Sequence, residues 1–292
     1  MITININSYN MEFKTLQNVP VETIYRAFTD AFSNYSVKQE VSLQQFTEMI
    51  TTRSFSPENS MGCFIDDELI GFILCGIRDY NHERHAYDIA TGVLNEHQHK
   101  GIGKEMLRKQ IELLKVNSVS YFKLEVLEEN TAAIELYKNQ GFTIIRKLEC
   151  YEADRDSLIF PNRAKYRFGN DLSKFMKQNT SGFQLYKSTW QNDLVSVGNN
   201  IDGHHFLSIE MNDRIICFGF IHCERGNIPQ IGVLPKWRNQ GLEAILINKL
   251  ATLATSEKIS FINVEASSYL SETLDNIGIS ITVSQFEMQL KL

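Results

Sequence analysis

The residues best suited to chemistry lie between positions 88 and 142. The stretch Gln98-His-Lys-Gly-Ile-Gly-Lys-Glu-Met-Leu107 runs from an apolar segment into a helical pattern. Gly101 and Gly103 permit backbone angles that a Cβ would obstruct, so several N–H groups can converge there. The following helix adds its unpaired N–H groups and the positive end of its dipole. Together they make an anion site suited to a pyrophosphate. Lys100 and Lys104 add charge. Each helix-terminal contribution is about 0.3–1 kcal/mol when exposed, so such a site works by summing donors. The Walker A pattern fails, because Gln98 stands where its first glycine is needed and Glu105 follows Lys104. The dinucleotide fingerprint fails at Met106. A purely structural strand-to-helix turn is the other reading of these glycines.

Two carboxylates stand inside apolar segments: Asp88 in residues 86–94 and Glu125 in residues 122–127. An unpaired charge is costly there, which marks both as candidates for proton transfer; a paired structural carboxylate is the alternative. Alternation puts Tyr87, Ile89 and Thr91 on one face and Asp88 and Ala90 on the other, unless a bulge intervenes. His82, His85, His97 and His99 match no closed zinc spacing, so no metal is expected. Cys63, Cys75, Cys150, Cys217 and Cys223 contain no C-x-x-C and read as reduced core thiols. Cys63, Cys75 and Cys150 lack a supporting histidine, so no covalent nucleophile is offered.

The elements that position these groups follow from periodicity. Ile24, Ala27, Phe28, Ala31 and Phe32 mark a helix over residues 21–32, and Ser42 suits the N-cap of a second helix to about Thr51. Residues 63–75 read as a β-hairpin, 78–85 as a polar loop and 86–94 as a buried strand. Ile102, Met106, Leu107, Ile111 and Leu114 share one helical face. After the strand at 122–127, Asn130 caps a helix through Tyr137. Gly141 suits its left-handed end, and a strand follows over 142–148.

Gln98-x-x-Gly101-x-Gly103, followed by Asn130-x-x-Ala133-x-x-x-Tyr137-x-x-x-Gly141-Phe142, resembles the GNAT superfamily of acyl-CoA-dependent N-acetyltransferases. The resemblance covers about residues 12–150. It implies an α+β fold with a mixed, largely antiparallel sheet flanked by helices, and acetyl-CoA as co-substrate. It implies that Gln98, Lys100, Gly101, Ile102, Gly103 and Lys104 hold the CoA pyrophosphate. Val93, Leu94 and Asn95 would pair with the pantetheine arm, a backbone N–H polarising the thioester carbonyl. Asn130 would contact the arm and Tyr137 would protonate the leaving thiolate. The base would be Asp88 or Glu125, although the family's base position falls near Tyr87. Tyr35 and Tyr80 are surface candidates for the acceptor pocket, while Phe28 and Phe32 read as core. The implied reaction is acetyl transfer to an amine, on a small molecule or a peptide, by direct attack in a ternary complex. The alternative is a non-catalytic acyl-CoA-binding regulatory or interaction module.

The whole chain of 292 residues has 29 Lys+Arg and 35 Asp+Glu, net −6. That excludes a general nucleic-acid or anionic-membrane binder. Residues 1–150 hold 15 basic and 20 acidic side chains, which weakly favours cationic partners in that half. No signal-peptide pattern and no apolar run of roughly 18 residues occurs, so a cytoplasmic protein is expected. The order of elements restarts from Phe183. Gly101 to Gly241 and Glu125 to Glu265 share an offset of 140, which marks an internal repeat. The expected domains are a catalytic one at 1–152, a connector at 153–182 with a helix near 171–178, and a GNAT-like one at 183–292. The second copy is degenerate: Glu243 replaces Gly103, Leu274 replaces Tyr137, and Ser267 replaces Asn130. Its expected roles are packing, shaping the acceptor site, or a homodimer contact; Trp190 and Trp237 read first as single buried tryptophans, with such a contact as the other reading.

Overall fold

The computed structural model describes residues 4–6, 9–33, 41–159, 166–178 and 182–292. The chain divides into two compact units. One comprises Met1–Ile145 with Glu287–Leu292, the other Arg146–Phe286.

In the first unit β1 (Ile4–Ile6) and β2 (Tyr9–Thr15) precede α1 (Val21–Phe32) and α2 (Leu43–Thr52). Ser42 and Gln45 form a reciprocal capping box at the start of α2. Next come β3 (Met61–Ile65), β4 (Glu68–Tyr80), β5 (Glu83–Val93), α3 (Ile102–Val116), β6 (Tyr121–Leu127) and α4 (Thr131–Asn139). Asp66 and Asp67 both have positive φ, the two-residue turn that matches strand twist. Asn81 and His82 do the same between β4 and β5. The expected loop at 78–85 is therefore a tight hairpin, and β4 and β5 run through it.

Strand order in this unit is β1-β2-β3-β4-β5-β6. Beside β6 lies the end of the last strand of the chain, residues 287–291, where Leu292 N–H also bonds Ser120 C=O at 3.0 Å. Met288 is fully buried there. The Cβ positions of Gly71 and Gly92 face Met106 of α3 and Ala31 of α1 respectively, which places the two helices on opposite faces of the sheet.

The second unit repeats this order. It takes most of β7 (Thr143–Asp154), then β8 (Arg167–Gly169), α5 (Leu172–Lys177), α6 (Leu194–Gly198), β9 (His204–Met211), β10 (Arg214–His222) and β11 (Asn227–Val233). α7 (Leu242–Ala251), β12 (Lys258–Glu265), α8 (Tyr269–Asn276) and the first part of β13 (Ser280–Lys291) complete it. β8-β9-β10-β11-β12-β7 is the strand order, with residues 280–286 of β13 on the far side of β7. Asn212 and Asp213 repeat the positive-φ turn of Asp66 and Asp67. Phe72 faces Gly92 and Phe218 faces Gly232, and in each pair a Cβ on the glycine would strike the ring at 2.6 and 2.5 Å. This is the same packing solution used twice.

Three sequence expectations change. The division falls at Ile145 and Arg146, not at 152, and the final residues belong to the first unit, because β7 passes to the second unit and β13 supplies the missing strand. Tyr87 pairs with Lys123 and Asn227 with Ser260, so the repeat offset is 140 on the central strand but 137 on the next. The cause is that α7 is shorter than α3. Glu125 therefore corresponds to Ile262, not Glu265. The α8 N-cap is Ser268, not Ser267.

Candidate functional site

The glycine turn has the geometry of a donor cluster. Gly101 is the N-cap of α3 with φ +79°, a left-handed conformation that favours glycine, and no side chain caps the helix. The first backbone bond of α3 runs from Glu105 N–H to Gly101 C=O, so the N–H groups of Ile102, Gly103 and Lys104 have no partner within the helix. α2 and α4, by contrast, are capped by Ser42 and Asn130. Gly103 has no conformational need to be glycine, and the nearest atom to a Cβ there would be Val93 Cγ2 at 4.0 Å. Glycine weakens a helix by about 1 kcal/mol relative to alanine. Neither φ nor packing accounts for it. Lys100 and Lys104 are exposed and make no ion pair among the described residues. These residues fit a pyrophosphate.

The loop before the turn is fixed from within. Gln98 Nε2 donates to Val93 C=O at 3.1 Å and to Asn95 Oδ1 at 3.2 Å. Leu94 N–H bonds Ile70 C=O, and Asn95 N–H bonds Asp30 Oδ1. Leu94 and Asn95 are thus held by the chain itself, and so is the Gln98 amide. The edge open to an extended ligand lies earlier. β5 and β6 pair only through His85–Tyr121, Ala86–Phe122 and Tyr87–Lys123, then part. Residues 88–93 have no neighbouring strand on that edge among the described residues. Leu94 N–H points to β4, so Val93 N–H points into the gap.

A bulge decides what faces the gap. Leu74 pairs with Ala90 and Cys75 with Asp88, which leaves Ile89 as the extra residue. Asp88 therefore shares a face with Thr91, and Ala90 with Tyr87, the reverse of simple alternation. Thr91 Oγ1 donates to Asp88 Oδ2 at 2.6 Å, while Asp88 Oδ1 is buried without a hydrogen-bond partner. Burial pushes the Asp88 carboxyl up from its ordinary 3.8 to about 7, against the opposing pull of the Thr91 bond. On the other face the Tyr87 hydroxyl donates to Glu125 Oε2. Burial, then the Glu125 charge, holds the Tyr87 phenol well above its ordinary value. Arg53 Nη1 reaches Ile89 C=O at 3.4 Å.

Asn130 Oδ1 accepts Ala133 N–H at 3.1 Å, so this residue caps α4. Tyr137 is half-buried on α4, its ring 5.6 Å from Phe142. Phe142 stacks on Phe122, whose strand partner is Ala86, just before the strands part. Tyr137 is thus linked through two ring contacts to the strand pair after which β5 and β6 part. Tyr80 pairs with Glu83 at the far end of β5, roughly 16 Å along the strand from Asp88 at about 3.3 Å per residue. It bonds Arg78 and packs on His85. Tyr35 lies outside the described residues. Phe28 packs on Phe46 and Phe72, as expected of core.

Thr91, Arg53 and Asp30 were not legible from the sequence, since each makes its contact through a bulge or a non-local bond. All five cysteines are free thiols, and burial pushes Cys63 up to about 12 and Cys75 and Cys217 upward as well. Among the described residues no group of three or more His, Cys, Asp or Glu could hold a metal, and no helix is long and apolar enough to cross a membrane. Trp190 is 5% exposed inside the second unit, which removes it as a candidate surface contact.

Residues 21–142 match the model of the acetyltransferase (GNAT) family. A putative acetyltransferase from Pyrococcus horikoshii is similar over 99% of this chain and 91% of its own, at 18% identity and TM-score 0.66. A GCN5-related N-acetyltransferase from Sphaerobacter thermophilus matches over 96% and 95%, at 12% identity and TM-score 0.70. A tandem GNAT protein from the clavulanic acid biosynthesis pathway matches over 97% and 98%, at 13% identity and TM-score 0.66. At these identities the likeness is one of fold.

Proposed function

We propose, from the match of residues 21–142 to the acetyltransferase (GNAT) family model, that the first unit transfers an acetyl group from acetyl-CoA to an amine. The observation that carries the reading is the open edge of β5 leading into an uncapped glycine turn. Acetyl-CoA supplies an activated thioester. The N–H groups of residues 101–104, with Lys100 and Lys104, would hold its pyrophosphate, and Val93 N–H lies where the arm's amide carbonyls would run. Gln98 keeps that edge and turn in register by bonding Val93 C=O and Asn95.

An amine must lose a proton before it attacks. We assign this to Asp88, because a carboxyl near 7 can both accept and release a proton at neutral pH. Thr91 fixes its orientation. We assign Tyr137, on α4, as the proton donor for the departing sulfur. The bond between Tyr87 and Glu125 supports a second reading, in which Glu125 takes the proton through the Tyr87 hydroxyl. Free thiols throughout suit a reducing, cytoplasmic setting. The acidic first half suits a cationic acceptor.

The test is a panel of polyamines, amino sugars, aminoglycosides and peptide N-termini with acetyl-CoA, following thiol release. Turnover with at least one amine is expected, with Asp88→Asn and Glu125→Gln separating the two bases. Absence of CoA binding by calorimetry would overturn the reading. Tight binding without turnover on any amine would favour a binding module.

A further inference from the structure

The second unit repeats the backbone angles and hydrogen bonds of the first unit's turn. Gly241 has φ +73° where Gly101 has +79°, and Asn239 has +61° where His99 has +60°. Leu234 N–H bonds Ile216 C=O as Leu94 bonds Ile70, and Ile245 N–H bonds Gly241 C=O as Glu105 bonds Gly101. Arg238 reaches Val233 C=O as Gln98 reaches Val93. The central strand of each unit also carries one extra residue, between Asp88 and Ala90 in β5 and between Asn227 and Gln230 in β11.

The difference lies in what occupies the groove. Val233 N–H, the counterpart of Val93 N–H, donates to Phe183 C=O at 2.9 Å, and Gln184 bridges antiparallel to Gly232. Arg238 Nη2 clamps the same segment through Gly182 C=O at 3.0 Å and Gln184 C=O at 2.8 Å. Gln230 Nε2 donates to Ser188 Oγ and Asn192 C=O, and Asn192 Nδ2 donates to Ile262 C=O of β12. Asn192 therefore bonds both strands, β11 and β12, whose counterparts part in the first unit. At the turn, Asn239 N–H donates to Tyr269 Oη at 2.7 Å, and that phenol is hydrogen-bonded to Glu243, which is 1% exposed.

We infer that residues 182–192 are a resident occupant of the second unit's groove, laid strand-like along β11 where an acyl-CoA arm would lie, with Tyr269 and Glu243 filling the turn. The chain thus has one acyl-CoA site, not two. This rests on reading the first unit's groove as an acyl-CoA site. The bonds explain why loss of Gly103's counterpart is tolerated. A glycine is needed there only if a ligand must approach, and in the second unit the polypeptide has taken the ligand's place.

The experiment is amide exchange at single-residue resolution on the full chain, with and without CoA, together with calorimetric stoichiometry. Val93 should exchange freely alone and slow by about tenfold or more with CoA, while Val233 stays protected in both states. Stoichiometry should be one CoA per chain. Arg238→Ala should speed exchange at Val233 and leave Val93 unchanged. Asn192→Ala should do the same from the segment's other end, should Arg238→Ala impair folding. Two CoA per chain, or a CoA-dependent change at Val233, would overturn the inference. So would a folded Arg238→Ala with unaltered Val233 exchange. If CoA does not bind and Val93 does not respond, the reading of the first unit fails instead, while Val233 still reports separately on the segment.

Discussion

Replacing Asp88 by asparagine tests the proton-transfer argument most directly, because two independent measurements should move together. Asp88 is 8% exposed, one oxygen has no partner, and its carboxyl sits at about 7 in place of 3.8. The folded state therefore binds this proton more tightly than the unfolded chain does. Between about pH 4 and pH 7 the native protein holds more protons, so stability falls as pH rises through that window and levels off above it. The gap between 3.8 and about 7 corresponds to roughly 4 kcal/mol. Asp88→Asn keeps the shape and can accept the Thr91 bond, but it cannot ionise. It should match the wild type near pH 4 and exceed it by up to that amount at pH 8, as read by urea unfolding at a series of pH values. Activity should move the other way. With a value of about 7, about one-eleventh of the wild-type carboxyls are ionised at pH 6 and about ten-elevenths at pH 8, so the wild-type rate should rise about tenfold between them. Asp88→Asn should lose that rising limb and about 10²–10⁴-fold in rate. An asparagine variant with the wild-type pH–rate profile would refute the assignment, and a flat difference in stability across pH would refute the account of burial.

Other outcomes follow from particular contacts. Gly103→Glu places a side chain in open space and an acidic group in the first turn of α3, so thermal stability should rise by up to about 1 kcal/mol while CoA affinity falls; scanning calorimetry and CoA titration give the two signs. Deleting residues 287–292 removes buried Met288 and the strand beside β6, so the first unit should unfold at markedly lower temperature, and a fragment ending at 152 should behave likewise. Tyr87→Phe removes the donor to Glu125 and should cost about 1–3 kcal/mol in unfolding experiments. Thr91→Val removes the bond that favours the charged Asp88, so the rising limb of the pH–rate profile should shift to higher pH.

The comparison of the two units also explains how a chain can retain a binding fold without the binding. In the first unit the open edge of β5 and the uncapped turn leave donors whose satisfaction must come from elsewhere. In the second, Phe183 C=O accepts the Val233 N–H, Tyr269 Oη accepts the Asn239 N–H, and Asn192 Nδ2 donates to Ile262 C=O of β12, all from within the polypeptide. The carboxylate positions change in step. At the same offset Asp88 becomes Ile228 and Thr91 becomes Ile231, both buried in the hydrophobic core of that unit. The walls shrink too, since α5 and α6 have 6 and 5 residues where α1 and α2 have 12 and 10.

By itself the amino-acid sequence determined most of the elements and the form of the glycine turn. Ser42, Asn130 and Gly141 stand where caps and helix ends were expected, and the spacing of Gln98, Gly101 and Gly103 excluded nucleoside triphosphates and dinucleotides. Those features are local: a cap, a glycine φ or a helical stripe depends on residues a few positions apart. Tertiary structure alone decided which face Asp88 takes, because one extra residue in a strand inverts every face beyond it and shows only in the register with β4. It decided that β13, not β7, stands beside β6, since strand pairing depends on edges far apart in the chain. It also decided that the second groove is filled, because Phe183 and Val233 meet through backbone atoms, which no side-chain pattern encodes.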